Sequence, residues 1–329
     1  METRFLGRTG VRVSRLVLGT MTFGREADEV ESRAMYAACR DAGVQTFDCA
    51  NVYAGGESER ILGRLVAAER DQLVLTTKAY FPTGRGPNAR GTSRYHLVRA
   101  VEASLKRLGT DRVDVLFLHR WDARTHLEET LRAVEHLVRQ GKVLYPAVSN
   151  FSAWQTMKAL ALADRRGFQP VVAMQPMYNL VKRQAEVELL PLAASEGLGV
   201  FPYSPLGGGL LTGKYAGAGE ARGRFDESSM YATRYGDAMN ARVAADFTAF
   251  AEARGLHPVS LAVAWVAHHP AGTAPLLGAR NVAQLTPALR ALELGMDDAL
   301  YDAVAALSPA PPPATDRSEE AAGQTFGAR

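Results

Sequence analysis

Cysteine is scarce. Cys39 and Cys49 are the only two in 329 residues, too few for a disulfide framework and in no CxxC spacing that would suggest zinc. Long apolar runs are missing as well. No stretch nears the 18 or more residues of a membrane span, and the opening METRFLGRTG lacks the apolar centre of a secretory signal. The expectation is a cytosolic chain with no membrane partner. Charge of one sign is not in excess: the net value of +3 is small for this length and gives no reason to expect a nucleic-acid partner. Lysine supplies only 6 of the 38 basic residues, and alanine is abundant, a bias expected of a GC-rich bacterial source. A glycine-rich dinucleotide fingerprint is also lacking: the first candidate turn reads Gly19-Thr20-Met21-Thr22-Phe23-Gly24, which does not match G-x-G-x-x-G.

What is present is ordinary globular material, 47% apolar and 22% charged. Arg4–Leu6 and Val11–Val13 flank Gly7-Arg8-Thr9-Gly10, the pattern of a hairpin. After it, short apolar runs alternate with longer helical patterns. The predicted strands are Leu16–Leu18, Val44–Phe47, Leu73–Thr76, Val113–Leu118, Val143–Val148, Val171–Met174, Gly199–Tyr203 and Ala274–Leu277. Helices are predicted near 30–41, 57–68, 94–107, 127–140, 152–166 and 186–196, with several more between 240 and 307. Ser93 and Ser152 suit N-caps, and Thr125-His126-Leu127-Glu128 has the form of a capping box. Gly43, Gly109, Gly141, Gly167 and Gly197 each stand where a left-handed residue ends a helix.

Eight strand–helix units predict an α/β fold, a closed (β/α)8 TIM barrel with an N-terminal β-hairpin, rather than an open sheet with edges. The expected organisation is one barrel domain over 1–307 and a flexible tail over 308–329, although Gln324-Thr325-Phe326 has the makings of a docking segment. One connection breaks the rhythm. Pro205 to about Asn240, after strand seven, is glycine-rich and lacks apolar periodicity, as long functional loops do.

Chemistry in such barrels gathers at the C-terminal ends of the strands. Asp48 and Tyr53 follow the second predicted strand, Lys78 the third and His119 the fourth. Reducing a carbonyl by hydride transfer creates an alkoxide that needs a proton. Tyrosine is a sluggish acid near neutrality, and a neighbouring ammonium favours its ionised form. Lys78 can supply that charge, Asp48 can hold Lys78, and His119 can donate a hydrogen bond to the carbonyl. These residue types in one register predict a carbonyl reductase.

At these positions the chain resembles the aldo-keto reductase superfamily. The resemblance runs from Arg4 to about Leu294 and rests on LGTMTFG at 18–24, DCANVYAGGESERILG at 48–63, SLKRLGTDRVDVLFLHRWD at 104–122, GKV and VSNFS within 141–152, and SPLGGGLLTGKY at 204–215. The wording is most similar to the bacterial branch that includes potassium-channel β subunits and deoxysugar reductases. The resemblance implies an NADPH-dependent reductase with Tyr53 as general acid, Asp48 and Lys78 tuning it, and His119 positioning the carbonyl. It further implies Ser149, Asn150 and Gln175 on the nicotinamide carboxamide and Tyr203 stacked under the ring. Gln284 would face the adenine, where the asparagine usual four positions later is replaced by Ala288. A second departure is Tyr145-Pro146-Ala147, in place of an isoleucine-glycine pair. The branch admits a nucleotide-activated sugar as well as a simple aldehyde, an enoyl reduction on the same barrel, or a slow NADPH-sensing subunit.

The residues themselves add to this cradle. Ser204, Leu206 and Gly208 open the long loop, where small side chains let backbone N–H groups approach a pyrophosphate. Lys214 and Arg224 are the nearest cations. Gly278-Ala279-Arg280-Asn281 opens a helix whose N-terminus favours an anion, and the Arg280 fork suits a 2′-phosphate, which predicts NADPH rather than NADH. Candidate substrate walls are Met21, Phe23, Tyr80 with Phe81, and Trp121, while Arg90 and Arg120 suit an anionic substrate. No metal is expected, the partner is a small carbonyl compound, and the sequence sets no oligomeric state.

Overall fold

A computed structural model describes residues 1–214, 229–317 and 319. The hairpin forms from β1 (Thr3–Phe5) and β2 (Arg12–Ser14), antiparallel with Arg4 opposite Val13. Three-residue strands are marginal alone. Leu6 and Val13 are fully buried in one apolar cluster with Val17, Val115, Phe117 and Phe201. Each such burial contributes about 1.5–3 kcal/mol, so the barrel's own interior holds the hairpin as its floor.

Eight parallel strands follow in the order expected: β3 (Val17–Gly19), β4 (Thr46–Asp48), β5 (Val74–Ala79), β6 (Val113–Leu118), β7 (Val143–Ser149), β8 (Ala173–Gln175), β9 (Gly199–Val200) and β10 (Leu276–Leu277). The ladder runs β10-β3-β4-β5-β6-β7-β8-β9. Its ends meet through Ala274 N–H to Val200 O and Leu276 N–H to Pro202 O, each 2.8 Å, which closes the (β/α)8 barrel. A second, larger apolar layer lies outside, between the strands and helices such as α2 (Glu57–Val66) and α3 (Arg94–Leu108). There Gly63 is required by packing: a Cβ would lie 2.4 Å from the Leu108 carbonyl oxygen.

Most predicted boundaries shift by a residue or two. The larger changes have local causes. Gly199–Tyr203 keeps only two ladder residues because neither Pro176, just after β8, nor Pro202 has an N–H to donate. Pro146, unexpected inside β7, is tolerated because its missing amide would face residue 170, ahead of the point where β8 begins; its carbonyl still accepts from Val172 N–H at 2.9 Å.

Ser152 forms a reciprocal capping box with Gln155, and Ser93 accepts from His96 N–H, as predicted. The Thr125 cap is corrected. His126 takes the N-cap position of α4 (Leu127–Arg139), and the Thr125 hydroxyl donates instead to Asp122 at 2.8 Å. Gly43, Gly109, Gly141, Gly167 and Gly197 all have positive φ.

The long loop after strand seven is present but is not structureless throughout. Gly207–Thr212 is a 3-10 turn and an unexpected helix, α7 (Ser229–Tyr235), lies in its second half; α8 (Ala238–Glu252) then starts close to where helices were expected to resume. Arg224 and the Gln324–Phe326 segment lie outside the described residues. At the start of the tail, Arg183 donates to the carbonyls of Ala305 and Ser308 at 2.9 and 3.1 Å, fastening the end of α11 (Asp298–Ala305) to the loop after β8. No helix among the described residues is long and apolar enough to cross a membrane.

Candidate active site

The second, third and fourth barrel strands bring Asp48, Lys78 and His119 to one rim, because β4, β5 and β6 are neighbours in the ladder, with Asp48 opposite Thr76, two residues before Lys78, and Ala79 opposite Leu118, the residue before His119. Lys78 and Asp48 are both 1% exposed and joined by a short ion pair. Lys78 Nζ also donates to the Cys49 carbonyl at 2.8 Å and to the Tyr53 hydroxyl at 3.4 Å. Tyr53 opens a tight turn that leads into α2 through Ala54 at φ +47 and two glycines at positive φ, Gly55 and Gly56. The four sequence-predicted residues therefore converge at one mouth.

The carboxylate is over-determined. Besides Lys78, Asp48 accepts from the Thr76 hydroxyl at 2.6 Å and from Gln175 Nε2 at 3.0 Å. Such saturation is what keeps a buried ion pair from being a net cost. Behind it, fully buried Glu59 accepts from Thr77 and from Arg107, each at 2.6 Å, and ties β5 to the helical layer. Thr76, Thr77 and Glu59 were not singled out in the sequence; the signal of the two threonines is polarity on strand positions otherwise apolar, and that of Glu59 is an acid on the buried side of α2.

Electrostatics correct one expectation. Burial pushes the Tyr53 phenol up to about 12, and the nearby Lys78 charge offsets only part of that rise. The physical reason is that Asp48 already neutralises Lys78, so little of the ammonium's field is left for the phenol. Burial would lower Lys78, but Asp48 and the other acidic neighbours hold it above its ordinary range. Burial, reinforced by Lys78, drives His119 down to about 3. At neutral pH the site therefore offers a protonated phenol, an ammonium and an uncharged imidazole. The His119 ring is edge-on to Phe81, centroids 4.8 Å apart, and its Nδ1 is buried without a partner among the described residues.

A cavity of about 1130 Å³ opens over these groups. Its wall runs from Tyr53 and His119 past Ser149, Asn150, Gln175 and Tyr203, along Ser204, Leu206, Gly208 and Lys214, to Gly278, Arg280 and Gln284. Every predicted cradle residue within the described chain is on it. Asn150 sits at φ +55, donates to the His119 carbonyl at 3.0 Å and accepts from the Tyr203 hydroxyl at 2.8 Å. Ser204, also left-handed at φ +59, is clamped by Asn179 Nδ2, which donates to its carbonyl at 2.9 Å and to Tyr235 Oη at 3.3 Å. Gly207, Gly208 and Gly209 all have positive φ, and a Cβ on Gly209 would lie 3.5 Å from the Lys214 ammonium, so that charge hangs over the turn. Helix α10 (Val282–Leu289) is capped by Asn281, and the Gln284 side-chain oxygen accepts from Arg280 N–H at 3.1 Å. Gln284 thus orders the helix start, and Pro287 and Ala288 form an apolar wall beside it.

The substrate side is less as expected. Met21 and Phe81 line the cavity. Phe23 does not: it is wholly buried in the outer core. Tyr80 packs edge-on against Phe81 outside the wall. Trp121 turns away to pack on Phe151 and Trp154 and faces a separate surface depression. Arg90 is not on the wall either, whereas Arg120 is. Helix α7, unpredicted, adds Met230, Tyr231 and Arg234 to the wall; a Cβ on Gly208 would strike Tyr231 at 2.8 Å. Among the described residues, no group of His, Cys, Asp or Glu has the clustering of a metal site.

Fold and site together define a (β/α)8 barrel whose rim joins a buried carboxylate–ammonium–phenol set to a neutral imidazole and a long, glycine-floored groove. A profile of the Aldo/keto reductase family matches residues 15–309. The chain belongs to that family of oxidoreductases. It is 39% identical to an uncharacterized oxidoreductase of Bacillus subtilis, over 94% of this chain and 97% of the relative. It is also 39% identical to a probable voltage-gated potassium channel subunit β of Oryza sativa, over 89% and 92%. A putative aryl-alcohol dehydrogenase of Schizosaccharomyces pombe shares 33%, again over 89% and 92%.

Proposed function

We propose that this protein is a cytosolic NADPH-dependent reductase that converts an aldehyde or ketone to an alcohol, with Tyr53 as general acid. The observation that carries this reading is the Tyr53 hydroxyl 3.4 Å from Lys78 Nζ at the floor of the groove. The groove suits a dinucleotide: three consecutive left-handed glycines leave the backbone bare beneath the Lys214 ammonium, and Arg280 stands at a helix N-terminus. Ser149, Asn150 and Gln175 would hold the carboxamide, Tyr203 would stack on the ring, and Arg280 would take the 2′-phosphate. When bound, the cofactor would supply the hydride.

The chain's own groups do the rest. His119, uncharged, donates an N–H to the carbonyl oxygen and fixes its direction toward Tyr53. As negative charge grows on that oxygen, Tyr53 hands over its proton, and Lys78 stabilises the phenolate that remains. Asp48 keeps Lys78 protonated and in place. Phe81 and Met21 exclude water from the reacting carbon.

Fluorescence titration with NADPH and NADH, followed by turnover of a panel of aldehydes and ketones, tests this reading. Tight NADPH binding with turnover of simple carbonyls supports it. The likeness to proteins named as channel β subunits favours a second reading, a slow NADPH-sensing subunit, for which binding would be tight and turnover negligible with every carbonyl. A third outcome, turnover confined to nucleotide-activated keto- or enoyl-sugars, would move the substrate class but not the hydride chemistry.

A further inference from the structure

The charged side chains on the cavity wall are unevenly signed. Among the described lining residues Asp48 is the sole carboxylate, and Lys78 already neutralises it; Arg120, Lys214, Arg234 and Arg280 are all cationic. Three of these lie along the groove assigned to the dinucleotide: Lys214 beside the Gly207–Thr212 turn, Arg234 on α7, and Arg280 after β10. Arg120 stands apart. It follows β6, which is four places from β10 and so halfway round the eight-stranded ring. It is also the residue directly after His119, whose imidazole faces the reacting carbonyl.

Arg120 is exposed to the cavity and has no hydrogen-bond, ion-pair or ring partner among the described residues. Arg107, Arg112, Arg132, Arg139 and Arg166 pair with carboxylates. Other exposed arginines, such as Arg85, Arg90 and Arg165, are as unpaired as Arg120 among the described residues, but they lie off the cavity wall. The nearest acid in sequence, Asp122, is turned away and taken by the Thr92 and Arg124 backbone N–H groups and the Thr125 hydroxyl. A guanidinium left unpaired beside the substrate's oxygen-binding group is placed to recognise an anion.

We propose that Arg120 selects a carbonyl substrate carrying an anionic group, a phosphate or carboxylate on a short chain or ring beyond the carbonyl. This rests on the reductase reading above and names its substrate class. The carbonyl meets His119 and Tyr53, and the anion, directed away from the dinucleotide, meets the Arg120 fork. A charge-assisted bond of this kind is worth roughly 10- to 100-fold in discrimination.

The test compares kcat/KM with NADPH for matched pairs: 4-carboxybenzaldehyde against benzaldehyde, and glyceraldehyde 3-phosphate against glyceraldehyde. The expected result is a preference of at least ~10-fold for one or both charged members, and which pair shows it distinguishes carboxylate from phosphate. Arg120→Gln should shrink that ratio ~10-fold or more, mainly through KM of the charged aldehyde. Arg124→Gln, on the same loop but off the cavity wall, should leave the ratio intact. Equal or better use of the neutral members overturns the proposal, as does a charge preference that survives Arg120→Gln. Failure to reduce any carbonyl, charged or neutral, while NADPH still binds would instead sink the reductase reading and this proposal with it.

Discussion

Lys78 Nζ stands 3.4 Å from the Tyr53 hydroxyl while bound more closely to Asp48. The ammonium is thus shared unequally: the carboxylate takes most of its field, and the phenol remains protonated, pushed up to about 12 by burial. A protonated phenol is what proton donation to a nascent alkoxide needs.

Tyr53→Phe removes that proton and leaves the ring. Carbonyl reduction should fall by at least ~100-fold while NADPH binding, read by fluorescence, stays within a few-fold. Near-normal turnover would take Tyr53 out of the acid role.

The buried ion pair should betray itself in stability. Asp48→Ala strands the Lys78 ammonium, 0% exposed in its side chain, and should cost about 3–5 kcal/mol in chemical denaturation. Adding Lys78→Met should recover a large part of that loss. A double variant no more stable than Asp48→Ala would show that the pair is not the source.

His119 makes a pH prediction. Its folded pKa of about 3 lies below the unfolded value near 6.5, so between those values the unfolded chain binds more protons. Stability contributed by neutral His119 is therefore full above pH ~6.5 and drains away as pH falls toward 3. His119→Gln should flatten the slope of unfolding free energy against pH in that window by up to one proton. An unchanged slope would mean His119 titrates normally in the fold.

Asn179 should prove to be a positioning residue for the groove. Its side chain holds the left-handed Ser204 through the carbonyl and Tyr235 through the hydroxyl. Asn179→Ala should raise the NADPH dissociation constant ~10-fold, from about 1–3 kcal/mol of lost hydrogen bonding. KM for the carbonyl, measured at saturating cofactor, should move little. A change confined to carbonyl KM would contradict the role.

Arg280→Ala should weaken NADPH at least ~10-fold and NADH far less, because the guanidinium is assigned to the 2′-phosphate that only NADPH carries. Parallel titrations check it. Equal losses for both cofactors would remove that contact.

Not every part of this site was legible in advance. Residues that end strands were read correctly as to place, since parallel alternation fixes which end of a strand faces the rim. Asp48, Lys78 and His119 needed nothing more. Tyr53 and the cradle from Ser149 to Gln284 gained their positions from motif resemblance joined to that register. The substrate side was harder. Phe23 and Trp121 are aromatic and lie in the right loops, yet one fills the core and the other packs on Trp154, because a loop side chain's direction is set by its neighbours in space. Helix α7 was hidden because seven residues carry too little periodicity to stand out within a glycine-rich stretch.

By itself, then, the sequence determined the eight-fold alternation, the closed barrel and the set of groups at its mouth, since these follow from local periodicity and from the fixed polarity of parallel strands. Only the tertiary structure decided which charges are spent on each other. That Asp48 saturates Lys78, that burial outweighs Lys78 at Tyr53, and that Arg120 has no carboxylate partner among the described residues depend on distances between segments far apart in the chain, which no local pattern encodes.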